Sequence, residues 1–396
     1  MDFFDSHYYK GMKILLCLIG RWPYQTLKER VFITIILSTL WSYTMFHRML
    51  VYNNYDNYSN KQEVVLETIS PIIVDIITFA KYITIICKMD TIIDLLERIK
   101  QDWKIYTNKE EKKILQYYAN LGKILSLGYV GAVYMVTVLF MTEPIVEQTF
   151  FKLFQNETIP KRFSIPIYWK TPDIEKYYYY LISFQTLNTN FIISITCASD
   201  AMFINLLQHV TGLFSVTGFL LENVPIEENS EKNGQKKMKD VAYEHYVRCM
   251  RSHKRALEFA ENLESIYAWC FGIVITLNMP VMSVTAMQLM TGPSNVIQSM
   301  KYGTFAGVQL LHLFFYCFMS QKLLTSSSLI PECAMNGKWY LCSVKAQRLV
   351  TLIIMRSQIS CQLTAGKIIV LSMETFTSIV KTSGSYFTML VQMRNA

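Results

Sequence analysis

Seven stretches of this chain are apolar and long enough, or nearly so, to cross a lipid bilayer, and that recurrence removes most folds from consideration. They run Val31–Phe46, Val64–Cys87, Leu121–Met141, Tyr177–Leu207, Tyr267–Met290, Tyr302–Leu324 and Leu363–Val391. A spanning helix takes about 20 predominantly apolar residues. Backbone inside hydrocarbon must satisfy its own hydrogen bonds, and stretches of this length do so as helices. The last stretch carries Lys367, Glu374 and Lys381 at seven-residue intervals, near one helical stripe. Charges in hydrocarbon are costly, so that stripe is expected to face protein, water or a cytoplasmic extension. Two readings stand at this point: a terminal anchor with its charges at the wet end, or a helix lining a water-filled path.

Basic residues give an orientation. Of 38 Lys and Arg, 27 fall before span one or in the segments after spans two, four and six, and 9 fall on the opposite side. Lys81 and Lys381 lie within spans. Excess Lys and Arg marks the cytoplasmic side, so the amino terminus is expected inside and, with seven spans, the carboxyl terminus outside. In a membrane chain this asymmetry accounts for the net charge of +8 without invoking nucleic acid. The two glycosylation sequons, at Asn57 and Asn156, both fall in loops assigned outside, and the nine cysteines fall in spans or inside, so no outer-loop disulfide is expected. No cleavable signal peptide is expected, because Ile14–Gly20 is short and Arg21-Trp22-Pro23 follows it. Tyr8–Tyr24 is expected to lie in the interface, held by Trp22 and Tyr24.

The inner side is also the bulky side. Ile92, Leu95, Leu96, Ile99 and Trp103 recur at helical spacing among charges, and 240–266 and Trp339–Ile354 repeat the pattern. These segments are expected to extend the spans into a cytoplasmic helical bundle. Pro225–Lys239 is polar and charged, and reads as a disordered linker.

Signals for catalysis are poor. No Gly-x-Gly pair exists, Ser326-Ser327-Ser328 has no partnered base nearby, and His245 and His253 read as a solvated helix face rather than metal ligands. No enzyme activity, cofactor or metal is expected. Intramembrane polar residues say more. Asp75 and Lys81 are expected to face the bundle interior and meet partners from other spans, with snorkelling an equal alternative for Lys81. Asn188, Asn205 and Gln309 could bond a ligand or another helix. Gly128, Gly131, Gly303 and Gly307 favour close helix approach over room for a ligand. The outer halves of the spans are rich in aromatics and Met, which suits either a core or an apolar pocket for a small hydrophobic ligand.

The pattern resembles the insect odorant receptors. Seven spans with the amino terminus inside is the reverse of a G-protein-coupled receptor, whose motifs are absent. Similar to the family's signatures are Ala334 with Gly337-Lys338-Trp339-Tyr340, then Arg356-Ser357-Gln358, Leu363-Thr364-Ala365-Gly366-Lys367 and Ser385-Tyr386-Phe387-Thr388-Met389-Leu390, together with Gly20-Arg21-Trp22-Pro23 and Asp102-Trp103. The tail looks most like receptors of ants, bees and wasps. The resemblance implies an all-α membrane protein of seven transmembrane helices, with 1–325 holding helices one to six and an outer-half ligand pocket, and 326–396 holding an anchor helix and a pore-lining helix seven. It implies a subunit of an odorant-gated, non-selective cation channel in the plasma membrane of the olfactory neuron dendrite, forming a heterotetramer with co-receptor subunits, in contact with membrane lipid, and taking a small hydrophobic odorant. The chain lacks the co-receptor's long insertion after span four, so it resembles a tuning subunit. Implied gate residues are Met389, Gln392 and Met393. Implied pocket residues are Ile72, Ile76, Phe79, Gly131, Tyr134, Met135, Val138, Phe184, Asn188, Phe305 and Gln309. A gustatory-type receptor channel is the alternative, and a transporter a weaker one, since inverted repeats and broken helices are not evident.

Overall fold

The apolar periodicity is realised as long helices, several of which run well past the thickness of a bilayer. The computed structural model describes residues 3–53, 61–155, 161–166, 173–225, 241–291 and 296–395. Among them lie α1 (Lys10–Leu18), α2 (Leu27–Asn53), α3 (Lys61–Cys87), α4 (Met89–Ile105), α5 (Lys109–Phe150), α6 (Ile174–Glu222), α7 (Val241–Thr291), α8 (Val296–Ser328), α9 (Ile330–Asn336), α10 (Val344–Ser357) and α11 (Met373–Asn395). By length and composition α3, α5, α6, α7 and α8 can cross a membrane. Helices α2 and α11, 27 and 23 residues long, have the length but are more polar. Both sequons lie outside the described residues, as does the linker from 226 onward.

Helix α6 is the pillar. At 49 residues it is about 74 Å long, more than twice the roughly 30 Å of bilayer hydrocarbon. From Cys197 to Leu221 every residue except the half-buried Ser215 and Phe219 is buried. A helix apolar and buried all round belongs at the centre of a bundle. Helices α1, α3, α5, α7, α8 and α9 pack around it.

The extensions beyond the apolar runs form a bundle of their own, as the charged amphipathic patterns predict. In α4 the buried stripe is Ile92, Leu95, Leu96, Ile99 and Asp102. Asp102 accepts hydrogen bonds from Arg255 Nε (2.9 Å) and Nη2 (2.5 Å) of α7 and lies 3.0 Å from His209 Nε2 of α6. Buried Glu111 accepts from Arg248 Nη2 at 2.6 Å. The Tyr106 hydroxyl, whose pKa burial pushes up to about 12, pairs with Ser252 Oγ at 2.8 Å. Helix starts are capped where the sequence offers caps: the Asn108 side chain accepts from Glu110 N at 3.2 Å, and Ser343 Oγ from Ala346 N at 3.3 Å.

Four expectations need correction. His253 is buried near Phe214 and His245 donates to the Leu220 carbonyl at 2.7 Å, so this pair is internal structure rather than a solvated face. Trp22 is buried edge-on against Phe4 instead of anchoring in an interface, whereas Tyr24 is exposed. An ideal Cβ at Gly128, Gly131, Gly303 or Gly307 meets nothing within 4 Å, so these glycines mark open helix surface within this chain and not close approach.

The fourth concerns the stretch expected as the last span, whose helix begins at Met373 and not at Leu363. Residues 363–371 instead form a hairpin: β1 (Thr364–Ala365) pairs antiparallel with β2 (Ile369–Val370), Thr364 opposite Val370. The turn places Gly366 at φ +63° and Lys367 at φ +60°, which a helix cannot accommodate. Lys367 therefore leaves the stripe it was expected to share with Glu374 and Lys381. The hairpin is seated on α7: Gly366 N donates to the Ala268 carbonyl at 2.6 Å, and a Cβ at Gly272 would come within 3.0 Å of that same nitrogen. The obstacle there is backbone, which cannot swing aside. Gly272→Val is therefore expected to destabilise the fold by about 1–3 kcal/mol, the range for overpacking, lowering the melting temperature of the detergent-purified protein, while Ile273→Val on the exposed side of α7 leaves it unchanged.

Candidate functional site

Where α2, α3, α5, α6, α7 and α8 converge, a cavity of about 160 Å³ remains. Helix α3 contributes Pro71, Val74, Asp75 and Thr78, spaced as one helical face, with Ile77 beside them. Helix α5 contributes Tyr129, Val133, Val136, Thr137, Phe140 and Met141, and α6 Thr189, Ile192, Ile193 and Thr196. Phe305, Val308, Gln309 and His312 come from α8, Asn278 and Val281 from α7, and Arg48 from α2. Ile165, from the segment preceding α6, lines it as well. The wall is mainly aliphatic and aromatic, with a few convergent polar groups, the composition of a small-molecule site.

Two sets of buried charges border this space. Arg48 Nη1 donates to Asp75 Oδ2, and both residues line the cavity. The sequence places Arg48 in an outer loop; the structure extends α2 past it to Asn53 and buries it at 3% exposure. At Tyr129 and His312 the wall becomes part of a second network. Lys81 Nζ of α3 donates to both carboxylate oxygens of Asp200 in α6, at 2.8 and 2.9 Å, and lies 2.9 Å from His312 Nε2. The Tyr129 hydroxyl donates to Asp200 Oδ2 at 2.7 Å, and the Tyr316 hydroxyl to Oδ1. Asp75 and Lys81 thus do face inward to partners on other helices. Asp200 was missed in the sequence, although an acidic residue within the apolar run 177–207 is the natural counter-charge for Lys81.

Next to Ile165, residues 161–166 are tied across the helix ends. Arg162 bonds Glu143 and Glu147 of α5, Lys301 Nζ donates to the Ser164 carbonyl at 2.9 Å, and Gln185 Nε2 to the Ile165 carbonyl at 2.8 Å.

Of the pocket residues nominated from sequence, Phe305 and Gln309 line the cavity. Ile76 and Phe79 are exposed on the other side of α3, where Phe79 stacks on Trp41 with centroids 4.7 Å apart. Ile72 is half-buried away from the cavity. Gly131, Met135 and Val138 are exposed, and half-buried Tyr134 pairs its hydroxyl with Ser194 Oγ at 2.6 Å. Phe184 meets Tyr43 edge-on at the surface. Asn188 is buried outside the lining, with neither amide atom hydrogen-bonded among the described residues. The difference is one of helical phase: each residue turns a helix by about 100°, so neighbours in sequence face different ways. The signal that could have set the phase was Asp75, because Pro71, four before it, and Thr78, three after it, are cavity-lining.

Met389, Gln392 and Met393 are exposed on α11. So are Glu374, Thr377, Ser378, Lys381, Ser385 and Thr388, which with Gln392 make a polar stripe at helical spacing turned away from the rest of the chain. Toward the chain, α11 packs Phe376 edge-on against Phe314 of α8, with centroids 5.6 Å apart. Among the described residues no group of three His, Cys, Asp or Glu side chains is placed to hold a metal.

A family model described as the 7tm odorant receptor matches residues 62–384. Odorant receptor 82a of Drosophila melanogaster is 24% identical over 340 residues, covering 84% of this chain and 85% of that one. The Drosophila melanogaster odorant receptor coreceptor is 27% identical over 90 residues, 23% of this chain and 18% of that one. In three dimensions the chain is similar to the insect olfactory receptor OR5 from Machilis hrabei, solved in complex with eugenol, with a TM-score of 0.80 over 97% of both chains at 14% identity.

The charge network yields a stability test. Lys81→Met or Asp200→Asn alone leaves a buried partner uncompensated and is expected to cost about 3–5 kcal/mol. The double variant is expected to recover part of that loss, as read from thermal unfolding in detergent.

Proposed function

The chain belongs to the 7tm odorant receptor family, a family of multi-pass membrane receptors and not of enzymes, and on that premise we propose that it is the ligand-binding tuning subunit of an odorant-gated, non-selective cation channel. The observation that carries this reading is the largely apolar cavity of about 160 Å³ between the helices of the bundle, a volume suited to one small volatile molecule. In this reading seven helices span the plasma membrane, α2, α3, α5, α6, α7, α8 and α11, with the amino terminus cytoplasmic. The lopsided distribution of Lys and Arg supports that orientation. The partner is a co-receptor sharing one heterotetramer in the dendrite of an olfactory neuron, and the extension bundle around α4, α9 and α10 anchors it.

In the proposed channel α11 lines the pore. Its polar stripe supports this, because a helix exposing Glu374, Lys381 and Gln392 gains by facing water rather than lipid. Met389 and Met393 then form a hydrophobic constriction that closes by dewetting, with Gln392 able to contact hydrated cations. Binding and gating are joined through α8, which carries Phe305, Gln309 and His312 at the cavity and Phe314 against α11.

Whole-cell recording during an odorant panel tests the assignment. Odorant-evoked cation current is expected from cells expressing the chain with a co-receptor and not from the chain alone. Current from the chain alone would make it a self-sufficient channel. No current from either, with the protein at the surface, would count against an odorant-gated channel. For the pore, Met389→Ser is expected to alter relative ion permeability severalfold and to leave the odorant concentration for half-maximal current within about twofold. A shift in odorant preference with permeability unchanged would remove α11 from the pore.

A further inference from the structure

We infer that the cavity selects a neutral odorant bearing one oxygen, as a carbonyl or a hydroxyl, and discriminates against hydrocarbons and carboxylates of the same shape. This rests on reading the cavity as the odorant site, and adds the chemical class of its ligand.

Size comes first. An apolar cavity of about 150 Å³ holds a molecule of the size of benzene, and this one is of about 160 Å³. Its ligand is therefore compact, of roughly six to nine non-hydrogen atoms.

The polar groups then set the chemistry. Arg48, Asn278 and Gln309 line the cavity and are each more than nine-tenths buried. Each holds one polar atom without a hydrogen-bond partner among the described residues: the donors Arg48 Nε and Asn278 Nδ2, and the acceptor Gln309 Oε1. The Gln309 amide is oriented by its other end, since Nε2 donates to Thr285 Oγ1 at 3.1 Å. Buried polar atoms in native proteins are nearly always paired, so three unpaired ones around one cavity call for a common account. A ligand oxygen supplies it. A carbonyl can accept from Arg48 or Asn278, and a hydroxyl can in addition donate to Gln309. The three atoms sit behind the cavity surface rather than open to it. Engagement therefore requires a small rotation of the amide or guanidinium ends, which the ligand's hydrogen bond favours.

Charge decides the rest. Asp75 already neutralises Arg48 within this wall. A carboxylate ligand would add a further negative charge beside Asp75, where Arg48 is already paired with Asp75 and Lys81 with Asp200, and buried unpaired charge is strongly disfavoured. A hydrocarbon escapes that penalty but leaves all three polar atoms unpaired. A site built to hydrogen-bond rejects the analogue that lacks the group far more strongly than it rejects a missing methylene.

The test uses size-matched probes on cells expressing the full chain with a co-receptor, recording current against concentration. Acetophenone is compared with cumene, benzyl alcohol with ethylbenzene, and hexanal with heptane, with benzoate as the charged probe. The oxygenated members are expected to act at concentrations at least about tenfold lower than their hydrocarbon partners, with benzoate inactive. Arg48→Lys keeps a cation beside Asp75 and removes Nε; Gln309→Met keeps the volume and removes the amide. In these variants, checked for surface delivery by biotinylation, the ratio between partners is expected to fall below about threefold. Equal potency within the pairs in the unmodified receptor overturns the inference. So does a ratio that survives in both variants, and so does silence to every oxygenated probe in a channel that another odorant opens. Val308→Trp, which fills the cavity, separates this from the reading beneath it. If that variant keeps every odorant response, the cavity is not the odorant site; if it loses them while the pairs are equipotent, only the ligand class is wrong.

Discussion

The contact on which the rest of the bundle depends is the ion pair between Lys81 and Asp200. It joins α3 to α6 in the middle of an apolar interior, and Tyr129 of α5 and Tyr316 of α8 complete the acceptor set of the carboxylate. Four helices are thereby held at one level and one rotation. Apolar side chains alone tolerate sliding and repacking, because dispersion and burial are non-directional. A charged pair with defined hydrogen bonds does not, since a displaced helix would leave a bare charge in a low-dielectric medium. Such pairs add little net stability over a hydrophobic replacement. The consequence here is positional: α3, α5 and α8 are fixed around α6, and the cavity lies beside this network, with Tyr129 and His312 in its wall.

That arrangement makes the cavity and the charged network parts of one unit. Tyr129 and His312 belong to both. A ligand that displaces either ring changes the environment of Asp200 directly. On the same helix as His312, and within one turn of it, Phe314 rests against Phe376 of α11. Side chain to side chain through one rigid helix, these contacts connect the cavity wall to α11. The hairpin before α11 ties the other end to α7, its backbone lying close against Gly272 and bonded to Ala268.

Much of the architecture was legible in the chain itself. The long apolar runs announced the helices, and the amphipathic stripe of α4 was correct residue for residue from Ile92 to Ile99. Asp75 was expected to face inward because a charge in an apolar run is costly against lipid, and Lys81, for which snorkelling was an equal alternative, faces inward as well. Less legible was the phase of each apolar helix. Met135 and Val138 are as apolar as Val133 and Val136, and only the latter pair meets the cavity. The same ambiguity hid the hairpin at 363–371: its apolar residues prolong the run of α11, and the left-handed turn at Gly366 and Lys367 carries a weak local signal.

The sequence by itself determined that this is a helical membrane protein, because only internally hydrogen-bonded segments about 20 residues long can sit in hydrocarbon, and it determined which residues are too polar to face lipid. Tertiary structure alone decided their partners. Arg48 meets Asp75 across 27 residues and Lys81 meets Asp200 across 119. Such pairings depend on the rotation of each helix about its axis, which a helix apolar on every side does not encode and which is fixed only when its neighbours are in place.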